Sequence, residues 1–210
     1  MAEGIKLTES LRKTFVLEAL YDDLTDDELR KASSLKSPQG PIAIFRMPQW
    51  QLPSPSVDSL ILVLDTIQDP GNLGTIVRVA DWFGIRDIVC SEDTADIFAP
   101  KAVQATMGAL AGVKVHYTHL PTWLSQARLN GVPVYGTFLN GDNLYEKELS
   151  NNGIIVMGNE GNGISTDVAK HVTERLYIPS YPAQHETSES LNVAMATGII
   201  CAEFRRRLAI

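Results

Sequence analysis

Long apolar runs and cysteine are both scarce in this chain of 210 residues, and each scarcity excludes a class of protein. No stretch of about 18 apolar residues occurs, which argues against a membrane-spanning helix. Cys90 and Cys201 lie far apart without a CxxC pair, so neither a disulfide framework nor a cysteine zinc site is expected. The first residues, MAEGIKLTESLRK, lack the basic and then apolar pattern of a secretory signal, and a cytoplasmic location is therefore expected.

Positive charge is also in deficit, with 18 Lys and Arg against 25 Asp and Glu and a net charge of -7. This balance argues against a protein that binds nucleic acid through its overall charge, but a local basic patch remains open. Cations for such a patch are present in the first 50 residues and at Arg205, Arg206 and Arg207, where the alternative is a solvated face. The four histidines are not spaced as metal ligands, and no metal site is expected.

The first 50 residues differ in pattern from the rest of the chain. Apolar spacing predicts a helix over 7–20, a second helix over 22–36 and a strand within 40–48. These elements are too few for an independent core, so we interpret residues 1–50 as a small α/β attachment. The segment QLPSPS, residues 51–56, has the proline and serine content of a linker. Residues 57–210 are the predicted main domain.

Strand-length apolar runs alternate with helical patterns through the main domain. Examples are SLILVLDTI, RDIVCS, VPVYGTF and GIIVMG, with stretches such as GTIVRVADWFG and PTWLSQARLNG between them. This alternation predicts an α/β fold with a mainly parallel sheet and helices on both faces. Ligands bind such sheets beyond the carboxyl ends of the strands, so the loops that follow the strands are the candidate sites.

Three of these loops contain unusual residues. The first has Asn72 and Arg78 after a strand and a DPG turn; the second is the glycine-rich MGNEGNGIS; the third has Ser190 and Asn192 at the start of an apolar helix. Each has a simpler interpretation, namely a capping Asn with a solvated Arg, a glycine turn, and a helix cap. The helix after Asn192 is apolar on nearly all faces, which fits either a homodimer interface or a central core helix.

In combination, DPGNLGTIVRVADWFG, VMGNEGNGIS and IPS…SESLNVAMATGI resemble the SpoU (TrmH) family of RNA 2′-O-methyltransferases, part of the SPOUT superfamily. The resemblance covers about residues 55–207. It implies a sheet whose C-terminal segment forms a trefoil knot, and a homodimer through the C-terminal helix and knot region. It also implies S-adenosylmethionine as cofactor and RNA as substrate. Residues 1–50 resemble a shortened RNA-binding domain, and Ala32–Gly40 resemble the end of that domain.

The resemblance also implies the site residues. The cofactor contacts would come from Thr137, Leu139, Gly158, Gly161, Ile178 and Leu191, and the catalytic group would comprise Arg78, Asn72, Glu160, Ser190 and Asn192. Arginine has a pKa above about 12, so we interpret Arg78 as a hydrogen-bond donor to the ribose 2′-oxygen and a phosphate rather than as a base. Asn72, Glu160 and Asn192 would then align it.

Residues 180–189 form a longer loop than the family usually has, and it includes Tyr181, His185 and Glu186. It either contacts RNA or covers the site, or it is simply a longer surface loop. The preferred hypothesis is an RNA ribose methyltransferase acting on rRNA or tRNA, with rRNA mildly favoured. A non-catalytic RNA-binding protein on the same fold is the alternative. An ordinary nucleotide-dependent α/β enzyme is a third hypothesis, and the glycine order GxxGxG argues against it.

Overall fold

The computed structural model describes residues 1–181 and 190–207. The chain begins with a small three-stranded antiparallel sheet and two short helices. The elements are, in chain order, β1 (Ala2–Glu3), α1 (Ile5–Leu11), β2 (Leu17–Tyr21), α2 (Asp26–Ala32) and β3 (Ile42–Phe45). The strand order in this sheet is β1-β3-β2.

The helix predicted over 7–20 is wrong in its second half. Helix α1 ends at Leu11, and Leu17–Tyr21 form strand β2, in which Leu20 lies opposite Ala43 of β3. Pairing with β3 overrides the local helical spacing. The second predicted helix is confirmed as α2, and it begins with a capping box in which Thr25 and Glu28 satisfy each other's backbone amides. The predicted strand is confirmed as β3.

The larger sheet belongs to the rest of the chain and has six strands. The remaining elements are β4 (Leu60–Leu64), α3 (Pro70–Trp82), β5 (Asp87–Cys90), α4 (Pro100–Ala105), β6 (Lys114–Tyr117), α5 (Leu120–Leu129), β7 (Val134–Asn143), β8 (Gly153–Met157), α6 (Thr166–Ala169), β9 (Glu174–Tyr177) and α7 (Val193–Arg206). The six strands are all parallel, in the order β6-β5-β4-β8-β7-β9. A 3₁₀ turn at Ala109–Ala111 follows α4.

Both faces of this sheet are covered, as the α/β prediction requires. Successive residues of a strand point to opposite faces. On β4, Leu62 and Leu64 belong to the apolar cluster that contains α3, α4 and α7, whereas Ile61 and Val63 belong to the cluster that contains α5 and α6. All of β4 is buried, as expected for a strand near the centre of a parallel sheet. The α/β fold class is confirmed, and the trefoil knot stays an implication of the resemblance.

The small N-terminal sheet shares its apolar core with the large one. Leu7, Leu11 and Phe15 belong to the same buried cluster as α3 and α7. Phe15 packs against Trp50 with ring centroids 6.0 Å apart, and Trp50 packs against Phe98 at the same distance. Residues 46–59 contain no helix or strand, and the indole of Trp123 donates to the carbonyl of Pro53 over 2.8 Å.

Among residues 1–181 and 190–207, no helix is both long and apolar enough to cross a bilayer.

Candidate active site

Helix α3 begins directly after strand β4 and carries the first predicted site residue. Asp69 is its N-cap and accepts a hydrogen bond from the backbone amide of Asn72 over 2.8 Å, with Pro70 at the first helical position. Lys101 donates to the Asp69 carboxylate over 2.8 Å, and this hydrogen bond is the main reason that the pKa of Asp69 is lowered. The cap fixes the first turn of α3, and with it the backbone of Asn72.

A chain of side-chain hydrogen bonds joins three loops at this point. The amide nitrogen of Asn72 donates to Glu160 over 2.6 Å, and the amide nitrogen of Asn192 donates to the side-chain oxygen of Asn72 over 3.1 Å. Asn192 is also the N-cap of α7, where its side-chain oxygen accepts from the amides of Ala194 and Met195. Asn72, Glu160 and Asn192, predicted from three separate loops, therefore form one network.

Asn159 organises the glycine loop that carries Glu160. Its side-chain oxygen accepts from the backbone amides of Gly161 and Asn162, and its side-chain nitrogen donates to the carbonyl of Thr66 over 2.9 Å. Sequence reasoning missed this residue, although an Asn followed by glycines is a signal for such a side-chain turn. The loop that holds Glu160 is thereby tied to the end of β4.

Thr66 at the end of β4 has an unusual backbone conformation, with φ of 59°. A β-branched residue in the left-handed region costs about 1–3 kcal/mol, and such positions cluster at functional sites. Its amide donates to Ser91 over 2.8 Å, and its carbonyl accepts from Asn159. The neighbouring Asp65 accepts from the amide of Ser165 over 2.7 Å. These contacts keep the β4 end and the glycine loop together.

Three of the predicted cofactor residues lie on or directly after three adjacent strands, β8, β7 and β9. At Gly158, after β8, a Cβ atom would lie 2.2 Å from the carbonyl carbon of Gly163, so only glycine fits there. Thr137 on β7 pairs with Leu176 of β9 and donates to the carbonyl of Val156 on β8 over 3.3 Å. Ile178 follows β9 and is half-buried. Carboxyl ends of neighbouring parallel strands meet at one edge of the sheet, so these residues share that edge.

Two predicted cofactor residues, Leu139 and Leu191, are apolar side chains exposed at 72% and 44%. Gly161 is also exposed, and a Cβ atom there would meet only the side-chain oxygen of Asn159, at 3.5 Å. Exposed leucines and a tightly turned glycine backbone suit the adenine ring of a nucleoside cofactor, which needs apolar contacts and backbone hydrogen bonds. The residues present therefore fit S-adenosylmethionine.

Arg78 and Ser190 are not joined to the network of Asn72, Glu160 and Asn192. Arg78 is exposed on α3, about 9 Å along the helix axis from Asn72. Within residues 1–181 and 190–207, neither Arg78 nor Ser190 makes a side-chain hydrogen bond with another site residue. Tyr181 is exposed. His185 and Glu186 lie outside the described residues.

The described site contains oxygen and nitrogen groups suited to positioning rather than to nucleophilic attack. Both cysteines are buried; burial raises the pKa of Cys90, and it raises the pKa of Cys201 to about 12, so neither thiol forms a thiolate readily. In the part of the chain that the structure describes, no three His, Cys, Asp or Glu side chains are grouped to hold a metal ion. The available groups are a carboxylate, amides and an exposed guanidinium, which can orient a hydroxyl and stabilise negative charge.

Known proteins resemble this chain in sequence and in fold. The model of the SpoU rRNA Methylase family matches residues 59–202. The 23S rRNA (guanosine(2553)-2'-O)-methyltransferase RlmP of Bacillus subtilis is 33% identical over 183 residues, which are 87% of this chain and 71% of that protein. The 23S rRNA (guanosine-2'-O-)-methyltransferase RlmB of Neisseria meningitidis is 31% identical over 70% of this chain and 58% of its own length.

Solved structures match the fold of this protein over nearly the whole chain. A TrmH-family RNA methyltransferase structure from Porphyromonas gingivalis has a TM-score of 0.87 and 40% identity, covering 98% of this chain and 88% of that one. An AdoMet-bound rRNA methyltransferase from Sinorhizobium meliloti has a TM-score of 0.85 and 27% identity, covering 99% and 87%. The family model covers more than half of the chain, and its boundaries enclose the network of Asn72, Glu160 and Asn192. This chain belongs to the SpoU rRNA Methylase family.

Proposed function

We propose that this chain transfers a methyl group from S-adenosylmethionine to a ribose 2′-hydroxyl of RNA, with rRNA favoured over tRNA. The observation that carries the proposal is the hydrogen-bonded network of Asn72, Glu160 and Asn192, which lies beside the glycine loop in a chain of the SpoU family. The relatives support the choice of substrate, because RlmP and RlmB are both named as 23S rRNA 2′-O-methyltransferases. The cofactor is supported by the AdoMet-bound relative from Sinorhizobium meliloti.

When bound, the cofactor supplies an electrophilic methyl group on a sulfonium. The remaining task of the protein is to hold the ribose hydroxyl in line and to stabilise the charge that develops on its oxygen. Arg78 is the exposed cation of α3, and its guanidinium can donate both to the 2′-oxygen and to an adjacent phosphate. Glu160, held by Asn72, is an acceptor that orients one of these donors or the hydroxyl itself.

The glycine loop and the exposed leucines form the cofactor side of the site. Gly158 lets the end of β8 lie close to the backbone of Gly163. Leu139 and Leu191 offer apolar surface to an adenine ring. We infer that Thr137, Gly161 and Ile178 complete the same surface from the ends of β7, β8 and β9.

We also infer the arrangement of the chain and its partners. Residues 1–50 would serve as a truncated RNA-binding domain, 51–56 as a linker and 57–210 as the methyltransferase domain. A homodimer through the C-terminal helix and knot region is supported by the exposed apolar side chains of Met195 on α7 and Trp82 on the adjoining α3, at 63% and 86% exposure. Because the substrate is RNA, we place the protein in the cytoplasm. Met195→Glu should shift the sedimentation coefficient towards that of a monomer.

The direct test is a map of 2′-O-methylated nucleotides in rRNA and tRNA from cells with and without this gene. Loss of one mark, restored by the wild-type gene and not by Arg78→Ala, would support the proposal and identify the nucleotide. An unchanged map, together with purified protein that binds RNA but transfers no methyl group, would favour the non-catalytic RNA-binding protein. Binding of NAD without any binding of S-adenosylmethionine would favour a nucleotide-dependent enzyme instead.

A further inference from the structure

Strand β7 departs from its partner β9 in the middle of their pairing. Thr137 and Asp142 both lie opposite Leu176, so residues 138–141 loop out between two registers. We call residues 138–141 the β7 bulge. At Gly141 a Cβ atom would lie 2.6 Å from the carbonyl carbon of Leu176, so the bulge returns to the sheet directly against the backbone of β9.

The β7 bulge carries Leu139, the exposed side chain that is predicted to contact the cofactor. One side chain of β9 contacts the residues on both sides of it. The guanidinium carbon of Arg175 lies 3.5 Å from the centroid of the Phe138 ring, and its Nη2 atom donates to the side-chain oxygen of Asn140 over 2.9 Å. A planar guanidinium can stack on an aromatic ring and donate from its edge at the same time, and an ammonium group cannot.

The Phe138 ring is fixed by further contacts. A Cβ atom at Gly136 would lie 2.8 Å from the ring and 2.7 Å from the side chain of Val172, so the ring packs closely over the glycine backbone. Phe138 also packs against the apolar cluster formed with α5 and α6. The ring is therefore anchored to the domain, and Arg175 connects this anchor to the far side of the bulge at Asn140.

We propose that Arg175 is a positioning residue that holds the β7 bulge so that Leu139 is presented to S-adenosylmethionine. The inference rests on the proposed function, because the cofactor is proposed there. Arg175 acts through Phe138 and Asn140 and sets the affinity for the cofactor rather than the rate of methyl transfer. When a binding segment is correctly placed in only a fraction of molecules, the apparent dissociation constant rises by the inverse of that fraction.

The experiment is calorimetric titration of the full chain with S-adenosylmethionine and with S-adenosylhomocysteine. The variants are Arg175→Ala, Arg175→Lys and Phe138→Leu, with Arg128→Ala as the control, because Arg128 is an exposed arginine at the opposite, amino-terminal side of β7. We expect Arg175→Ala to weaken binding by about tenfold, which corresponds to a correctly placed bulge in about a tenth of molecules. Arg175→Lys should not restore it, and Arg128→Ala should bind as the wild type does.

Three further measurements separate positioning from a general effect on folding. With saturating cofactor, Arg175→Ala should keep its kcat while its KM for S-adenosylmethionine rises. The loss of affinity in the double variant Arg175→Ala/Phe138→Leu should be smaller than the sum of the losses in the two single variants, because both changes remove the contact between the guanidinium and the ring. Backbone amides of residues 138–141 should exchange hydrogen faster in Arg175→Ala at an unchanged melting temperature.

Several outcomes would overturn the inference. They are wild-type affinity in Arg175→Ala, an equal loss in Arg128→Ala, unchanged hydrogen exchange in the β7 bulge, or a lower kcat at unchanged KM. A wild-type chain that binds neither ligand would instead remove the proposed function, and this inference with it. The two failures are therefore distinguishable from the wild-type titration alone.

Discussion

The side chain of Asn192 donates to the side-chain oxygen of Asn72, and this contact fixes which way both amides point. The oxygen of Asn192 is occupied by the backbone amides of Ala194 and Met195, so its nitrogen must be the group that faces Asn72. Asn72 consequently turns its own nitrogen towards Glu160. The orientation of the carboxylate in the site is thus set by the cap of helix α7.

Replacing Asn72 by Asp should be more harmful to methyl transfer than replacing it by Ala. An aspartate keeps an acceptor for Asn192 but has no donor, and it places a second carboxylate within about 3 Å of Glu160. We expect the rate of methyl transfer to fall by about 100-fold in Asn72→Asp, as is usual when a polar group of an active site is misaligned. Single-turnover transfer of labelled methyl to RNA measures this rate. Thr75→Ala, one turn further along α3, is the control, and a harmless Asn72→Asp would contradict the assignment.

Gly158→Ala and Gly161→Ala should differ in their effect on stability. The added Cβ atom at Gly158 would overlap the backbone of Gly163 and Ile164, so we expect a loss of about 1–3 kcal/mol in the free energy of unfolding and a lower affinity for S-adenosylmethionine. At Gly161 the nearest atom is 3.5 Å away, so stability should hold. Urea unfolding and cofactor titration test the pair. Equal stability of the two variants would show that the β8 end is looser than the structure indicates.

Arg78→Ala should abolish methyl transfer while binding of S-adenosylmethionine persists. Arg78 is exposed and makes no ion pair within the described ranges 1–181 and 190–207, so its removal breaks no salt bridge there. A loss of two to four orders of magnitude would match the removal of a charged donor to a developing oxyanion, about 3–5 kcal/mol. The measurement is kcat with saturating cofactor and RNA. Arg78→Lys should recover only part of the activity, and full activity in Arg78→Ala would exclude the role.

Stability should depend on pH through Glu203 of α7. Arg206, and then Arg207, hydrogen bond to this buried carboxylate and lower its pKa to about 2. Because the pKa is lower in the folded state, Glu203 contributes its full stabilisation at pH values above the unfolded-state pKa of about 4.3. This contribution to the free energy of unfolding disappears as the pH falls towards 2. Glu203→Gln should therefore reduce the free energy of unfolding by about 2 kcal/mol at pH 7.

Urea unfolding between pH 7 and pH 2 tests this dependence. The difference between wild type and Glu203→Gln should be constant down to about pH 5 and should shrink below it. Glu148→Gln, at an exposed carboxylate on the loop after β7, is the control and should show no such pattern. A difference that stays constant down to pH 2 would show that Glu203 contributes through packing alone.

The three loops of the site could be predicted from the sequence because each contains residues that mark a turn or the start of a helix. Asp69-Pro70-Gly71 marks the start of α3, the glycines mark the turn after β8, and Asn192 precedes an apolar helix. Their mutual contact came from the family resemblance, since no local pattern shows that residues 72, 160 and 192 meet. The role of Asn159 can be predicted from the sequence, because an Asn followed by glycines is a local signal for a side-chain turn.

Features that depend on contacts between segments far apart in the sequence could not be predicted from it. The apolar spacing of residues 17–20 predicts helix although they form part of strand β2, because that spacing fits either structure and only pairing with β3 decides between them. The register shift that creates the β7 bulge depends on β9, and so does the contact of Arg175 with Phe138. The position of Arg78 on the exposed side of α3 follows from the packing of α4 and α7 around that helix, which a single-sequence pattern does not specify.

The sheet order also dictates when the protein can fold during its synthesis. Strand β4 is paired on one side with β5, which follows it closely, and on the other with β8, where Leu60 meets Gly153. The ribosome must therefore complete most of the chain before the middle of the sheet can close, and β4 presents an apolar, unpaired edge until then. Contacts so distant in sequence form slowly. A growing chain of this protein is thus most exposed to aggregation, and most dependent on chaperones, just before residues 153–157 emerge.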